Sequence, residues 1–241
     1  MVAPDLRGFG ASDKPPRGYD GPTLAADVAG LVRALGERRC LLVGQGWGGL
    51  VAWSVATRHP EVVRSLAVVA AAHPLRLRAA LLTDRAQVAA TAGQALSWQA
   101  PGVAERRLLA DDAARVGALL HRWSGPGWPP PDVERRLRDA AQLPGVAHTS
   151  LEYHRWALRS LTRPSGLRWL RSLRAGVAAP VLQLHGALDS AVLPRTAQGS
   201  GRWVSGPYRW RLLDGVGHFP AQEAPDVVTD ELRDWAREQT A

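Results

Sequence analysis

The feature of the sequence that most constrains the fold is a cluster of four glycines between two apolar runs, in residues 40–53 (CLLVGQGWGGLVAW). The first run has the length and composition of a buried strand, and the second has the spacing of a helix. The glycines indicate a tight turn, because glycine adopts backbone conformations that other residues avoid. Strand-to-helix turns of this kind hold nucleophiles or phosphate groups in many enzymes. Gly46 lies where a nucleophile is expected, and it has no side chain.

The pattern on both sides of the glycine cluster predicts a mostly parallel sheet flanked by helices. Residues 23–35 and 50–58 show helical spacing, and residues 40–44 and 65–72 are buried-strand runs. Strand and helix alternate in this way in α/β folds. Near the end of the chain we expect strands in residues 180–186 (PVLQLHG) and 208–215 (YRWRLLDG) and a final helix over about residues 222–239.

The middle of the chain has a different composition. From residue 75 to about residue 173, Ala, Arg and Leu recur at helical spacing, with loops such as residues 124–132 (SGPGWPPPD) and no strand-like alternation. We therefore predict an all-helical cap, or lid, over residues 75–173. It would be inserted into an α/β core formed by residues 1–74 and 174–241.

Composition predicts a soluble, cytoplasmic protein. The chain has 241 residues, 46% of them hydrophobic, and no apolar run is long enough to span a bilayer. Residues 1–8 (MVAPDLRG) lack the features of a signal peptide, and the single cysteine, Cys40, excludes an internal disulfide. The net charge of +8 comes from scattered arginines, with Lys14 the only lysine, rather than from a basic cluster. We expect a small-molecule ligand, and no nucleic acid, membrane, metal or cofactor.

The glycine cluster fits a dinucleotide-binding fingerprint. Gly44, Gly46 and Gly49 spell G-x-G-x-x-G directly after a strand and before a helix. The fingerprint requires an acidic residue about 20 residues further on, at the end of the next strand. That strand ends in AVVAAAHP, which contains no acid. Nucleotide binding is therefore the minor interpretation.

The same residues fit a nucleophile elbow, G-x-Nu-x-G, whose third residue carries the nucleophile at the top of the sheet. An elbow requires an acid after a later strand and a histidine near the end of the chain. Asp189, in LHGALDSAVLP, and His218, in LLDGVGHFPAQEAP, are in those positions. They are the candidate catalytic acid and base, and the backbone N–H of Trp47 is the candidate oxyanion donor.

Taken together, these motifs resemble the epoxide-hydrolase-like branch of the α/β-hydrolase fold. The similarity extends over residues 2 to about 237 and includes APDLRGFGASDKP, VGQGWGG, AAAHP, GALD and GVGHFPAQEAP. The resemblance implies an eight-stranded sheet with a helical lid and a carboxylate nucleophile that opens an epoxide or displaces a leaving group. Water activated by a His–Asp pair would then hydrolyse the resulting ester.

The chain departs from that branch at the elbow. The resemblance places Gln45 where the family has histidine and Gly46 where it has the nucleophilic aspartate, so no covalent ester can form there. Cys40 lies six residues back along the strand, roughly 20 Å away at about 3.3 Å per residue. Ser54 lies more than one turn into the following helix. Neither replaces the missing carboxylate.

Two further departures concern the cap and the first residues. In the cap, LEYHRW resembles the family's stretch with an acidic tyrosine, but that position is His154, with Tyr153 one residue away. Either could contact substrate, since one residue on a helix turns a side chain by about 100°. The family's first strands and its H-G-x-P oxyanion loop are absent, and the chain begins within what resembles the fourth strand. Either Met1 is an internal start within a longer protein, which we favour, or the remaining strands pair differently.

The sequence therefore leaves two classes of function open. The first is a hydrolase for a small, mostly apolar epoxide or ester, in which Asp189 orients His218 as a base for water. The second is a pseudoenzyme or truncated gene product that keeps the pocket and binds a ligand or partner without turnover. The His–Asp pair favours the first class, and Gly46 favours the second.

Overall fold

A parallel four-stranded sheet organises the chain in the computed structural model, which describes residues 1–239. The strands lie side by side in sequence order, and every pair is parallel. They are Cys40–Gln45 (β1), Val63–Val69 (β2), Val181–Gly186 (β3) and Tyr208–Leu213 (β4). The parallel α/β arrangement expected from the alternating pattern is confirmed.

Helices cover both faces of the sheet and fill the chain between β2 and β3. No helix within residues 1–239 is long and apolar enough to cross a membrane. The helices are Gly21–Ala34 (α1), Trp47–Arg58 (α2), Pro74–Thr83 (α3), Arg85–Ser97 (α4), Val103–Trp123 (α5), Pro131–Gln142 (α6), Val146–Ser160 (α7), Pro164–Ser172 (α8), Pro194–Gln198 (α9), Pro220–Glu223 (α10) and Pro225–Glu238 (α11). The final helix predicted over residues 222–239 is interrupted at Ala224, because the residue before a proline disfavours helical geometry.

The core has two halves, one on each face of the sheet. Side chains alternate along β2, so Leu66 and Val68 pack with α1 and α2, while Ala67 and Val69 pack with α11. Every residue of β3 is buried. Central parallel strands are covered on both faces, which explains their continuous apolar sequence.

The first residues do not form the strand that the family resemblance implies. Residues 1–20 adopt turns and irregular structure. Gly8, Gly10 and Gly18 have φ values of 90°, 47° and 95°, which a strand does not allow. The described sheet accordingly has four strands rather than eight.

Glycines let β1 and α2 approach each other closely. A Cβ on Gly49 would lie 2.6 Å from the Cβ of Ala71, and a Cβ on Gly44 would overlap the carbonyl oxygen of Gly48. Gly46 joins the two elements with φ 53° and ψ −116°. The three glycines of the G-x-G-x-x-G pattern thus serve helix–strand packing and the turn between the two elements.

This packing account is testable at Gly49. Gly49→Ala is expected to lower the free energy of unfolding by about 1–3 kcal/mol, because the added methyl overpacks the contact with Ala71. The control is Gly48→Ala, where a Cβ meets nothing within 4 Å. This control is expected to leave stability unchanged or to raise it by up to about 1 kcal/mol. Urea unfolding measures both variants, and equal losses would contradict the account.

Candidate active site

Three loops at one edge of the sheet bring the candidate residues together. Gly46 follows β1, Asp189 follows β3 by three residues, and His218 follows β4 by five. The carboxyl ends of parallel strands lie at the same edge, which is where ligands bind in open α/β sheets. Residues far apart in the chain therefore meet because of the strand topology.

Asp189 and His218 form a hydrogen-bonded pair. The Nδ1 of His218 lies 2.7 Å from Oδ2 of Asp189, whose side chain is fully buried. The other oxygen, Oδ1, accepts hydrogen bonds from the backbone N–H groups of Ala191 and Val192 at 2.8 and 2.9 Å. Burial raises the pKa of Asp189, but hydrogen bonds from His185 and His218 outweigh it and lower the pKa to about 2. Asp189 is therefore an anion at neutral pH.

The imidazole of His218 faces the elbow. A Cβ on Gly46 would lie 3.8 Å from Nε2 of His218, at ordinary contact distance. Trp47 begins α2, and its N–H belongs to the first turn, which has no acceptor within the helix. The site thus brings together the imidazole of His218, the backbone N–H of Trp47 and a glycine at the turn.

His154 contacts Trp47 and lines the cavity above the elbow. The indole Nε1 of Trp47 donates a hydrogen bond to Nε2 of His154 at 3.2 Å, and the ring of Trp98 lies 4.1 Å away between centroids. Burial lowers the pKa of His154 to about 3. The ring is therefore neutral, and because Nε2 accepts, the proton is on Nδ1.

Tyr153, considered beside His154 as a substrate contact, lies outside the cavity. Its hydroxyl donates to the backbone oxygen of Arg7 at 2.6 Å, and its ring packs on Phe9 and Trp47. Burial raises its pKa far above the ordinary value. The rotation of one residue along α7 directs Tyr153 to the first loop and leaves His154 facing the cavity.

Gln45 connects the elbow to the histidine loop. Its Nε2 donates to Oε1 of Gln222 at 2.8 Å, and its Oε1 accepts from the N–H of Ala221 at 3.1 Å. Both glutamines line the cavity. Gln45 therefore contributes to the wall beside Gly46.

A mostly apolar cavity of about 550 Å³ lies between the elbow and the helices α3–α8. Gly46, His154 and His218 line it, and so do Leu50 and Phe219. Tryptophans contribute much of the remaining wall. They are Trp47, Trp98, Trp123, Trp128, Trp156 and Trp169. This volume is typical of small-molecule sites.

Glu223 organises the histidine loop, a role that the sequence did not reveal. Its Oε2 accepts from the N–H groups of Gly125 and Gly217, each at 2.7 Å, and its Oε1 accepts from Phe219 at 2.9 Å. The N–H of His218 itself donates to the backbone oxygen of Trp123 at 2.8 Å. Only the position of an acid five residues after the histidine could have indicated Glu223.

Gln87 and His185 hold the acid loop. Gln87, fully buried on α4, donates to the oxygen of Ala191 at 3.0 Å and accepts from the N–H of Leu193 at 2.9 Å. His185 on β3 has its Nε2 2.8 Å from the oxygen of Val192 and 3.2 Å from Oδ2 of Asp189. A lone glutamine in a helical pattern carries no sequence signal for this contact.

No cluster of three or more potential metal-ligating side chains occurs within residues 1–239.

Comparison with known proteins identifies the fold family of the chain. A family model described as alpha/beta hydrolase fold matches residues 1–225. Epoxide hydrolase A of Mycobacterium tuberculosis is 30% identical over 96% of this chain and 80% of its own length. Epoxide hydrolase 3 of Xenopus tropicalis is 30% identical over 98% of this chain, which spans 64% of that protein's length.

A solved structure shares the fold. The epoxide hydrolase of Bacillus megaterium in complex with an inhibitor superposes with a TM-score of 0.81 at 22% identity. The match covers 97% of this chain and 82% of that protein. At this level of identity the match supports the architecture of the chain.

The neutral state of His154 predicts a pH dependence of stability. Burial lowers the pKa of His154 and His73 to about 3, from 6.5. Below about pH 6.5 the unfolded chain therefore binds protons that the folded chain does not, and stability is lost as the pH falls. Each histidine contributes at most about 1.4 kcal/mol per pH unit.

His154→Phe is expected to reduce this slope, measured by urea unfolding between about pH 5 and pH 6.5. Tyr153→Phe is the matched control, since it removes the neighbouring hydrogen bond without removing an imidazole. An unchanged slope in His154→Phe would show that the folded chain binds a proton at His154.

The role of Glu223 is tested by Glu223→Gln. The amide replaces one acceptor oxygen with a donor, so at least one buried N–H loses its partner, at a cost of about 1–3 kcal/mol. Proton NMR is expected to show a weaker, faster-exchanging Nδ1–H signal from His218. Asp226→Asn, an exposed change on α11, is the control. A sharp, unshifted His218 signal in Glu223→Gln would contradict the role.

Proposed function

The chain belongs to the α/β-hydrolase fold family, and we propose that it hydrolyses a small, mostly apolar epoxide or ester by direct attack of water. The proposal rests on one observation, which is that the Asp189–His218 pair faces Gly46. A Cβ built on Gly46 would lie 3.8 Å from Nε2 of His218. In this proposal residues 75–173 form the cap, and residues 1–74 and 174–241 form the core. The substrate lies between them.

Water takes the place of the side-chain nucleophile in the proposed reaction. His218 donates from Nδ1 to Asp189, so its Nε2 is free to accept a proton from water beside Gly46. The water oxygen bonds to the substrate carbon while the carbon–oxygen bond of the epoxide breaks. The proton then passes from His218 to the new alkoxide, which gives a diol. The Asp189 carboxylate stabilises the imidazolium in between.

Two donors are available for the developing oxygen anion. The N–H of Trp47 points from the first turn of α2, where the helix dipole favours negative charge. His154 supplies Nδ1–H from the opposite wall of the cavity, as a neutral donor held by Trp47. We assign Gln45 to the substrate-binding wall.

The alternative is a protein that binds the same ligand without turnover. Gly46 favours it, because no residue at the elbow can form an ester. Nucleotide binding has less support. Gly44 and Gly49 are used in helix–strand packing, and the cavity lining carries one Arg and no Lys, which leaves little charge to bind a pyrophosphate.

The proposal is tested with styrene oxide in ¹⁸O-water. The parent protein is expected to give a diol that contains solvent oxygen from the first turnover, and mass spectrometry should detect no covalent adduct. His218→Gln is expected to lower the rate by about 10²–10⁴-fold. Unlabelled diol in the first turnover, or an adduct on the parent, would disprove direct attack by water. Binding without turnover would favour the alternative.

Gly46→Asp is the informative gain-of-function variant. A Cβ has room there, but an L-residue at φ 53° and ψ −116° is expected to cost about 1–3 kcal/mol of stability. The variant should form an ester adduct that the parent does not form. Gly46→Ala, which carries the same backbone strain without a carboxylate, is the control and should form none.

A further inference from the structure

The charge of the cavity lining is confined to one residue. Among the lining residues of the described chain, Arg78 on α3 is the only Arg, Lys, Asp or Glu. The cavity therefore combines an apolar wall with a single fixed cation and no acid. Such isolated polar groups in apolar pockets fix the orientation of a ligand.

Arg78 has no protein partner for its guanidinium among the described residues. It is half-buried, and within residues 1–239 its side chain makes no hydrogen bond or ion pair. Arg155, in contrast, pairs with Glu105 at 2.8 Å, and Arg138 pairs with Asp112 at 3.0 Å. A partly desolvated guanidinium without a carboxylate is costly unless a ligand or water compensates it.

The cavity is continuous from the elbow to Arg78. Residues 70–72 and Pro74, which lead from the end of β2 into α3, line the same cavity, as does Leu77. A single molecule can therefore contact Arg78 at one end and the space beside Gly46 at the other.

We propose that the cavity takes an amphipathic monocarboxylate. The carboxylate pairs with Arg78, whose planar guanidinium matches it with two parallel hydrogen bonds. The apolar body lies against the tryptophans and leucines, and the reactive group reaches His218. The position of the reactive group rests on the proposed function, whereas the carboxylate subsite does not.

Binding of three ligands of equal chain length tests the subsite. Decanoate, decan-1-ol and decylammonium are titrated below their aggregation limits, with the fluorescence of the cavity tryptophans as the signal. Decanoate is expected to bind about tenfold more tightly than the alcohol, which corresponds to about 1.4 kcal/mol. Decylammonium is expected to bind more weakly than both, because Arg78 repels it.

Two variants and a control assign the preference to Arg78. Arg78→Met keeps the apolar stem and is expected to abolish the preference for decanoate over the alcohol. Arg78→Lys should retain a reduced preference. Arg85→Met, an exposed change at the start of α4 outside the lining, should leave it intact.

The inference is overturned if the parent binds the alcohol as tightly as decanoate, or if Arg78→Met keeps the preference. None of the three ligands has a bond to hydrolyse, so the result does not depend on turnover. A preference for decanoate without any hydrolysis of styrene oxide would leave the subsite standing and remove the proposed reaction. Hydrolysis of styrene oxide without a preference for decanoate would support the proposed reaction and remove the carboxylate subsite.

Discussion

The site depends on a buried carboxylate. Asp189 is removed from solvent, and its two oxygens face two backbone N–H groups and two imidazoles. A buried anion is stable only when hydrogen bonds replace its lost hydration. The loops after β3 and β4 must therefore keep one conformation, and Gln87 and Glu223 hold them there with hydrogen bonds to backbone N–H groups.

Gly46 provides the backbone conformation of the elbow but no side chain. The turn needs a backbone conformation that strains any residue with a Cβ, and glycine adopts it at little cost. The close approach of β1 and α2 depends on Gly44 and Gly49, which have no catalytic requirement. The chain thus keeps the turn, the helix N-terminus and the His–Asp pair with a residue at the turn that has no side chain.

The sequence predicted the features that have a local signature. Continuous apolar runs indicated the buried strands, and the glycine cluster indicated the elbow, since both depend on neighbouring residues. The choice between Tyr153 and His154 could not be made, because the exposure of a helix face depends on what packs against it. Gln87 also escaped prediction, since its partners on the acid loop lie about 100 residues away, and so did Glu223, whose contact with Gly125 spans 98 residues. The strand expected at the start does not form, and residues 1–20 adopt turns and irregular structure instead.

Helices α4 and α5, which line the cavity, also make hydrogen bonds that hold the loops of Asp189 and His218. The backbone oxygen of Trp123, at the end of α5, accepts a hydrogen bond from the N–H of His218. The N–H of Gly125, two residues later, donates a hydrogen bond to Glu223. On the other side, α4 holds the acid loop through Gln87. Six residues that line the cavity lie on these two helices, namely Ala90, Thr91, Gln94, Ala95, Leu120 and Trp123. A displacement of α4 or α5 would therefore strain the hydrogen bonds that orient Asp189 and His218.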